Sequence, residues 1–153
     1  MIPRTKRWMP RLAIGSRGLM PLGMALLIAL GTGCASSTRI YVKSTDRTND
    51  GNTLYMMVRT LDGRNLSTES YQDAVGKLFT EAPDPSVVTT QPLFPGNTAT
   101  LKIEDPDAKD VAVYFFFTQP GNNWRVPLRK PLPAEVYIDL GQHQIERVQV
   151  RKR

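Results

Sequence analysis

Val111-Ala-Val-Tyr-Phe-Phe-Phe-Thr118 is apolar at consecutive positions, so an extended chain running through it has two dry faces. Successive side chains of a strand point to opposite sides, which places Val111, Val113, Phe115 and Phe117 on one face and Ala112, Tyr114 and Phe116 on the other. A strand dry on both sides needs two covers. The stretch predicts a central strand, with a second sheet over one face and a helix or a partner over the other.

The sequence on either side supplies more strands. Towards the C-terminus, 119–123 (Gln-Pro-Gly-Asn-Asn) is turn chemistry, and Trp124 to Leu128 can pair back. Residues 134–140 and 145–150 flank Gly141-Gln-His-Gln144 as a final hairpin. Towards the N-terminus lie Thr98 to Ile103, the Pro95-Gly96 turn, a short Val87-Val88 piece and the loop 80–85. Residues 53–61 alternate, with Leu54, Met56 and Val58 on one face and Tyr55, Met57 and Arg59 on the other. Asp62-Gly63 centres the turn 61–65, and 39–44 is a first strand of β-branched and aromatic residues. Between the second strand and loop 80–85, the spacing of Tyr71, Ala74, Val75 and Leu78 predicts one helix with its stripe on a core. Ser67, Thr68 and Ser70 are its candidate N-caps, and Glu69 and Asp73 suit the positive end of its dipole. Seven or eight short strands with one inserted helix predict a mostly β, two-sheet sandwich.

The 153 residues carry 20 Lys and Arg against 14 Asp and Glu, one His and one Cys. A single Cys excludes an internal disulfide and a Cys-based zinc site. The charge is unevenly placed. Residues 1–33 hold five bases and no acid, and the remainder holds 15 bases and 14 acids. The leader runs from a basic stretch ending at Arg17 through 12 apolar residues, Leu19 to Leu30, to Gly31-Thr-Gly-Cys34. Its apolar run is short of the about 20 residues that span a bilayer, so residues 1–33 are expected to be a processed signal peptide. Gly31-Thr-Gly-Cys34 resembles a bacterial lipobox, with Gly where an aliphatic residue is usual and Leu30 one place further out. That makes Cys34 the expected lipid attachment, residues 34–38 the lipidated N-terminus and short tether, and 39–153 the sandwich. One acyl chain binds membranes only marginally, so stable anchoring takes more than one.

No catalytic constellation emerges. His143 reads as a solvated turn residue. Glu104-Asp-Pro-Asp-Ala-Lys-Asp110 lacks the acid, Gly and Glu that an EF-hand needs at its fifth, sixth and twelfth positions, and reads as a solvated loop. The basic tail Arg147, Arg151, Lys152 and Arg153 has no interleaved aromatics for nucleic acid. The expectation is no enzyme and no cofactor beyond a covalent lipid on Cys34.

The order of parts resembles a known family. A lipobox Cys, a first strand, an Asn-Asp-Gly loop entering a strand of apolar residues and Arg, a helix ending Lys77-Leu-Phe79, a Pro-Gly turn, an aromatic strand, Trp124-Arg125 and a terminal hairpin are similar to the TssJ (SciN-like) lipoproteins of type VI secretion. The resemblance runs from Cys34 to about Val150. It implies a transthyretin-like sandwich anchored in the outer membrane and facing the periplasm. It also implies docking of the periplasmic C-terminal domain of TssM, and TssL indirectly. By position it makes the loop after the first strand the partner-binding loop: Thr45, Asp46, Arg47, Thr48, Asn49, Asp50, Gly51 and Asn52. That loop is short here. Trp124-Arg125 matches a family pair and reads as structural, an indole over a sheet edge. Rival readings are a periplasmic ligand-binding sandwich with a pocket lined by residues 115–117, a hydrolase using His143, and a helper of another envelope machine.

Overall fold

The computed structural model describes residues 36–62, 68–80, 82, 84–106 and 109–153. The signal segment, Cys34, most of the 61–65 turn, the candidate cap Ser67 and Asp107 of the acidic loop lie outside the described residues. Among these residues eight strands and one α-helix follow in the order β1 (Ser37–Lys43), β2 (Leu54–Leu61), α1 (Tyr71–Gly76), β3 (Val87–Leu93), β4 (Thr98–Glu104), β5 (Asp110–Phe116), β6 (Arg125–Leu128), β7 (Glu135–Leu140) and β8 (Ile145–Arg151). They form two four-stranded sheets, ordered β4-β1-β7-β8 and β3-β2-β5-β6. All neighbours are antiparallel except β1 and β7, which run parallel with Ile40 opposite Val136 and Val42 opposite Ile138. The expected sandwich with one inserted helix is the fold observed.

The main core lies between the sheets. It takes Ile40 and Val42 from β1 and Val136, Ile138 and Leu140 from β7. Opposite them stand Leu54, Met56 and Val58 of β2, Val111, Val113 and Phe115 of β5, and Val126 and Leu128 of β6. Each is an alternate residue of its strand, as the two-residue period of a pleated sheet requires. Full burial of a side chain of this size is worth roughly 1.5–3 kcal/mol, so the inner faces fix the strand registers.

β5 and β2 are dry on their outer faces too, and a second core forms there. Met57, Leu61, Ala112, Tyr114 and Phe116 are buried with Ala74 of α1, and Tyr71, Val75 and Leu78 pack against them. The four helical stripe residues therefore face the sheet as their spacing predicts. Ser70 caps α1: its side chain accepts from the Asp73 N–H while the Asp73 side chain receives the Ser70 N–H. Both cores are built from residues after Cys34, and Cys34–Arg153 form one compact unit.

Several boundaries differ from the sequence reading, the helix among them, which ends at Gly76 and not at Lys77-Leu-Phe79, and three differences have a visible cause. β1 starts at Ser37, two residues early, because Thr38 is inward-facing and donates its hydroxyl to the Pro133 carbonyl at 2.7 Å. β5 stops at Phe116, since Thr118 turns its N–H to a loop side chain. The Val87-Val88 piece is a full seven-residue strand that includes Pro92. Pro92 faces Tyr55 on an edge strand, where a missing N–H breaks no ladder.

Candidate functional site

β1 enters the fold at one end of the sandwich and leaves it at the other. At its start, the Ser36 hydroxyl donates to Asp105 at 2.8 Å and the Asp105 N–H donates to the Ser36 carbonyl at 2.8 Å. Seven residues later, about 20 Å along an extended strand, the chain enters the loop 45–52. That far end gathers three other connections: the 94–97 turn, the 117–124 segment and the 141–144 turn.

The loop is fixed by its own backbone and by these neighbours. The Ser44 hydroxyl donates to the carbonyls of Asn97 (2.8 Å) and Phe94 (3.2 Å), which ties the loop to the β3–β4 turn. The Thr48 side chain accepts the Thr45 N–H at 2.9 Å. Asn49, Asp50 and Gly51 then all lie in the left-handed region, at φ 55, 55 and 77°. Asn, Asp and Gly tolerate that region best, which is why Asn-Asp-Gly stands here. Asn49 is fully buried and makes the anchor. Its Nδ2 donates to the Asn52 and Thr53 carbonyls at 3.2 and 3.1 Å, its Oδ1 accepts the Thr118 N–H at 2.7 Å, and its own N–H donates to the Gln142 carbonyl at 2.7 Å.

The eight loop residues divide by exposure. Thr48 and Asn49 are buried, and Thr45, Asp46, Arg47, Asp50, Gly51 and Asn52 are exposed. Asp50 faces inward chemically, for its Oδ1 accepts the Gln142 side-chain amide at 2.6 Å and lies 3.5 Å from His143 Nε2. Asp46 and Arg47 make no ion pair among the described residues. Asp46 lies over Gly96, whose φ is +78°; a Cβ there would come within 2.2 Å of Asp46 Oδ1. Phe94 is exposed on the same connection. The loop reading missed Phe94, Gln142 and His143; an aromatic directly before Pro95-Gly96 was the available sign of the first.

His143 is not the freely solvated residue expected. Its side chain is about a third exposed and its Nδ1 is buried without a partner. The approach to Asp50 is longer than a good hydrogen bond, and no hydroxyl or thiol among the described residues bonds to it. That is not the geometry of a nucleophile and its base. The expected pocket at residues 115–117 is packed with protein, since Phe115 and Phe117 fill the main core and Phe116 the second.

A buried polar cluster under α1 is the other concentration of charge. The Arg59 side chain, 5% exposed, pairs with Glu69 and donates from Nε to Ser86 at 2.9 Å. The Tyr114 hydroxyl donates to the other Glu69 oxygen at 2.6 Å, and Arg125 donates to the Glu69 carbonyl at 3.0 Å. Burial, reinforced by Glu69, pushes the Tyr114 phenol above its usual range, and burial raises Tyr71 to about 12. Hydrogen bonds from Ser86, then Lys77, hold Asp84 well below the usual carboxylate range. The Trp124 ring packs edge-on against Tyr71 at 5.1 Å, with the Arg125 guanidinium 5.0 Å from its centroid. These residues satisfy one another and fasten the helix to the sheet. Among the described residues no group of His, Cys, Asp and Glu converges to hold a metal ion.

The family model described as "IglE, N-terminal domain" matches residues 55–140. No curated protein matches the sequence significantly. Among solved structures, a chain described as Serratia marcescens Lip, a membrane bound component of the type VI secretion system, aligns with TM-score 0.60 and 16% identity over 74% of this chain and 97% of its own. The lipoprotein TssJ1 from Pseudomonas aeruginosa aligns with TM-score 0.59 and 14% identity, over 78% of this chain and 98% of its own. A chain of a structure described as a type VI membrane complex gives 0.57 and 18%, over 75% and 97%. At these identities the likeness is one of fold: this chain shares its fold with those three chains.

Proposed function

The chain belongs to the family described as IglE, N-terminal domain, and from that membership we propose that it is a lipoprotein of the type VI secretion membrane complex. In this reading it is anchored in the outer membrane through acylated Cys34, faces the periplasm and docks the C-terminal periplasmic domain of TssM, with TssL in the same assembly. The protein has no catalytic task. A multiply acylated N-terminus supplies attachment, the sandwich supplies a rigid platform, and the loop end supplies partner choice.

One observation carries the reading. The chain enters the sandwich at one end of β1, three residues after Cys34, and presents the 45–52 loop at the other. A protein held at its N-terminus would thus offer that loop, with Asp46, Arg47 and exposed Phe94, away from the bilayer. Aromatic and charged groups on a rigid end are the usual makings of an interface centre and its steering rim. The fold likeness to Lip and TssJ1 adds support.

The test is titration of residues 35–153 with the C-terminal periplasmic domain of TssM. Binding is expected, and charge reversal at Asp46 and Arg47 should weaken it at least ten-fold, about 1.4 kcal/mol. No binding by the unaltered protein would refute the docking role, and undiminished binding after the reversals would move the interface off the loop. Fractionation of cells carrying Cys34→Ala tests the anchor: the variant should leave the outer membrane.

A further inference from the structure

A groove of about 440 Å³ opens at the opposite end of the sandwich, where β1 begins. Leu128 forms its floor and Pro131 and Val150 its apolar walls, while Arg129, Lys152 and Arg153 stand around it. Among the described residues the bases at this end, Arg129, Lys130, Arg151, Lys152 and Arg153, outnumber the acids, of which Asp110 accepts the Lys130 N–H at 3.0 Å. Asp105 is already shared by Lys130, Ser36 and, at 3.7 Å, Arg153; Lys130, its main partner, holds its carboxyl below the usual range. Glu135 is taken by Arg151 at 3.1 Å. Arg129 and Lys152 make no ion pair among the described residues. The groove therefore combines a dry wall with a surplus of positive charge.

The groove also adjoins the chain's entry into the fold. Arg153 Nη2 donates to the Ser37 carbonyl at 2.9 Å, so a residue that lines the groove touches the first residue of β1. Cys34 precedes Ser37 by three residues, a reach of about 10 Å at most. We propose that this groove seats the anionic headgroup and upper acyl carbons of a phospholipid, holding the anchor end flat on the bilayer. This rests on the reading of Cys34 as the lipid attachment, because acylation there is what brings this end of the sandwich to a membrane. The chemistry fits the occupant. Arg and Lys near a bilayer surface are drawn to anionic lipid, and an apolar wall beside them accepts the first methylenes. The groove's size suits a headgroup with its glycerol. A tether this short leaves the body little freedom to stand off, so a second, non-covalent contact would set its orientation.

The test uses residues 35–153 without lipid, which contain both cores, in cosedimentation with vesicles at low salt. Vesicles of phosphatidylcholine containing about a third phosphatidylglycerol should bind the protein, and pure phosphatidylcholine vesicles should not. Arg129→Gln and Lys152→Gln should each lower binding about five-fold, the effect of roughly 1 kcal/mol per base near a membrane surface. Lys43→Gln, at the loop end with the same loss of charge, should leave it unchanged. Val150→Asp should abolish it, with circular dichroism confirming the fold. Equal binding to neutral vesicles, no binding to either kind, or an equal loss with Lys43→Gln would overturn the proposal. The mass of the Cys34 peptide recovered from membranes separates the two readings. Acylated Cys34 with no vesicle preference overturns the groove alone, and unmodified Cys34 overturns the anchor together with the groove's assignment to the membrane.

Discussion

The Oδ1 of Asn49 accepts the backbone N–H of Thr118 at 2.7 Å, tying the loop that crosses between the sheets to the end of β5. The same side chain donates to two carbonyls of its own loop. Asn49→Ala would leave the Thr118 N–H and two loop carbonyls without these partners, and would put at φ 55° an alanine, which tolerates the left-handed region less well than asparagine. The expected loss is about 1–3 kcal/mol, read as a lower urea midpoint. An unchanged midpoint would mean that the loop is held by its backbone bonds alone.

The charged loop residues should separate in their effects. Asp46→Lys and Arg47→Glu change groups without ion-pair partners among the described residues, so they should alter TssM binding and leave the stability read from urea unfolding within about 0.5 kcal/mol. Asp50→Lys breaks the 2.6 Å bond from Gln142 and sets a cation beside His143, and should lower both. Equal stability of all three would show that Asp50 is as free as its neighbours.

Gly96→Ala tests the underside of the loop. The new methyl would meet Asp46 Oδ1 and sit at φ +78°, so Asp46 must swing away. A stability cost of about 1 kcal/mol is expected, along with weaker partner binding. Binding that survives while stability falls would acquit the Asp46 position.

Removing one member of the Arg59–Glu69 pair should cost more than removing both. Arg59→Met leaves the Glu69 carboxylate, with its side chain 10% exposed, without the cation that pairs with it, a loss of about 3–5 kcal/mol. Arg59→Met with Glu69→Gln spares the uncompensated charge and should recover a good part of that. A double-mutant cycle with additive terms would contradict the pairing.

Alkaline pH should loosen the helix before the sandwich. Tyr71 titrates near 12 in the folded chain against about 10 unfolded, and Tyr114 is raised further. A pKa raised on folding gives stability that is complete below the unfolded value and lost as pH climbs through the folded one. Stability should therefore fall from about pH 10 upward. Phenolate absorbance, read by difference against Tyr71→Phe and Tyr114→Phe, should show Tyr71 and Tyr114 lagging until unfolding. Simultaneous titration below pH 11 would refute their burial, roughly one unit being the margin.

The sequence made the layers legible because apolar periodicity is a direct record of burial. The two dry faces of Val111 to Thr118 demanded two covers, and the stripe Tyr71, Ala74, Val75, Leu78 supplied the second. β3 was under-read because Thr89, Thr90, Gln91 and Pro92 carry no apolar alternation; it pairs through its backbone on an edge. At the loop, Asn-Asp-Gly announced a tight turn and delivered three left-handed residues. That Asn49 is buried, and that Gln142 and His143 stand beside it, depends on contacts about 90 residues apart, which local pattern does not encode.

The placement of β1 between β4 and β7 has a mechanical consequence. A pull applied between Ser36 and the 45–52 loop runs along β1, whose seven residues are paired with β4 on one side and, over five positions, with β7 on the other. Those hydrogen bonds lie across the line of force and share it, so they would have to shear together instead of opening one after another. A load carried from one end of this domain to the other passes through its best-fastened strand.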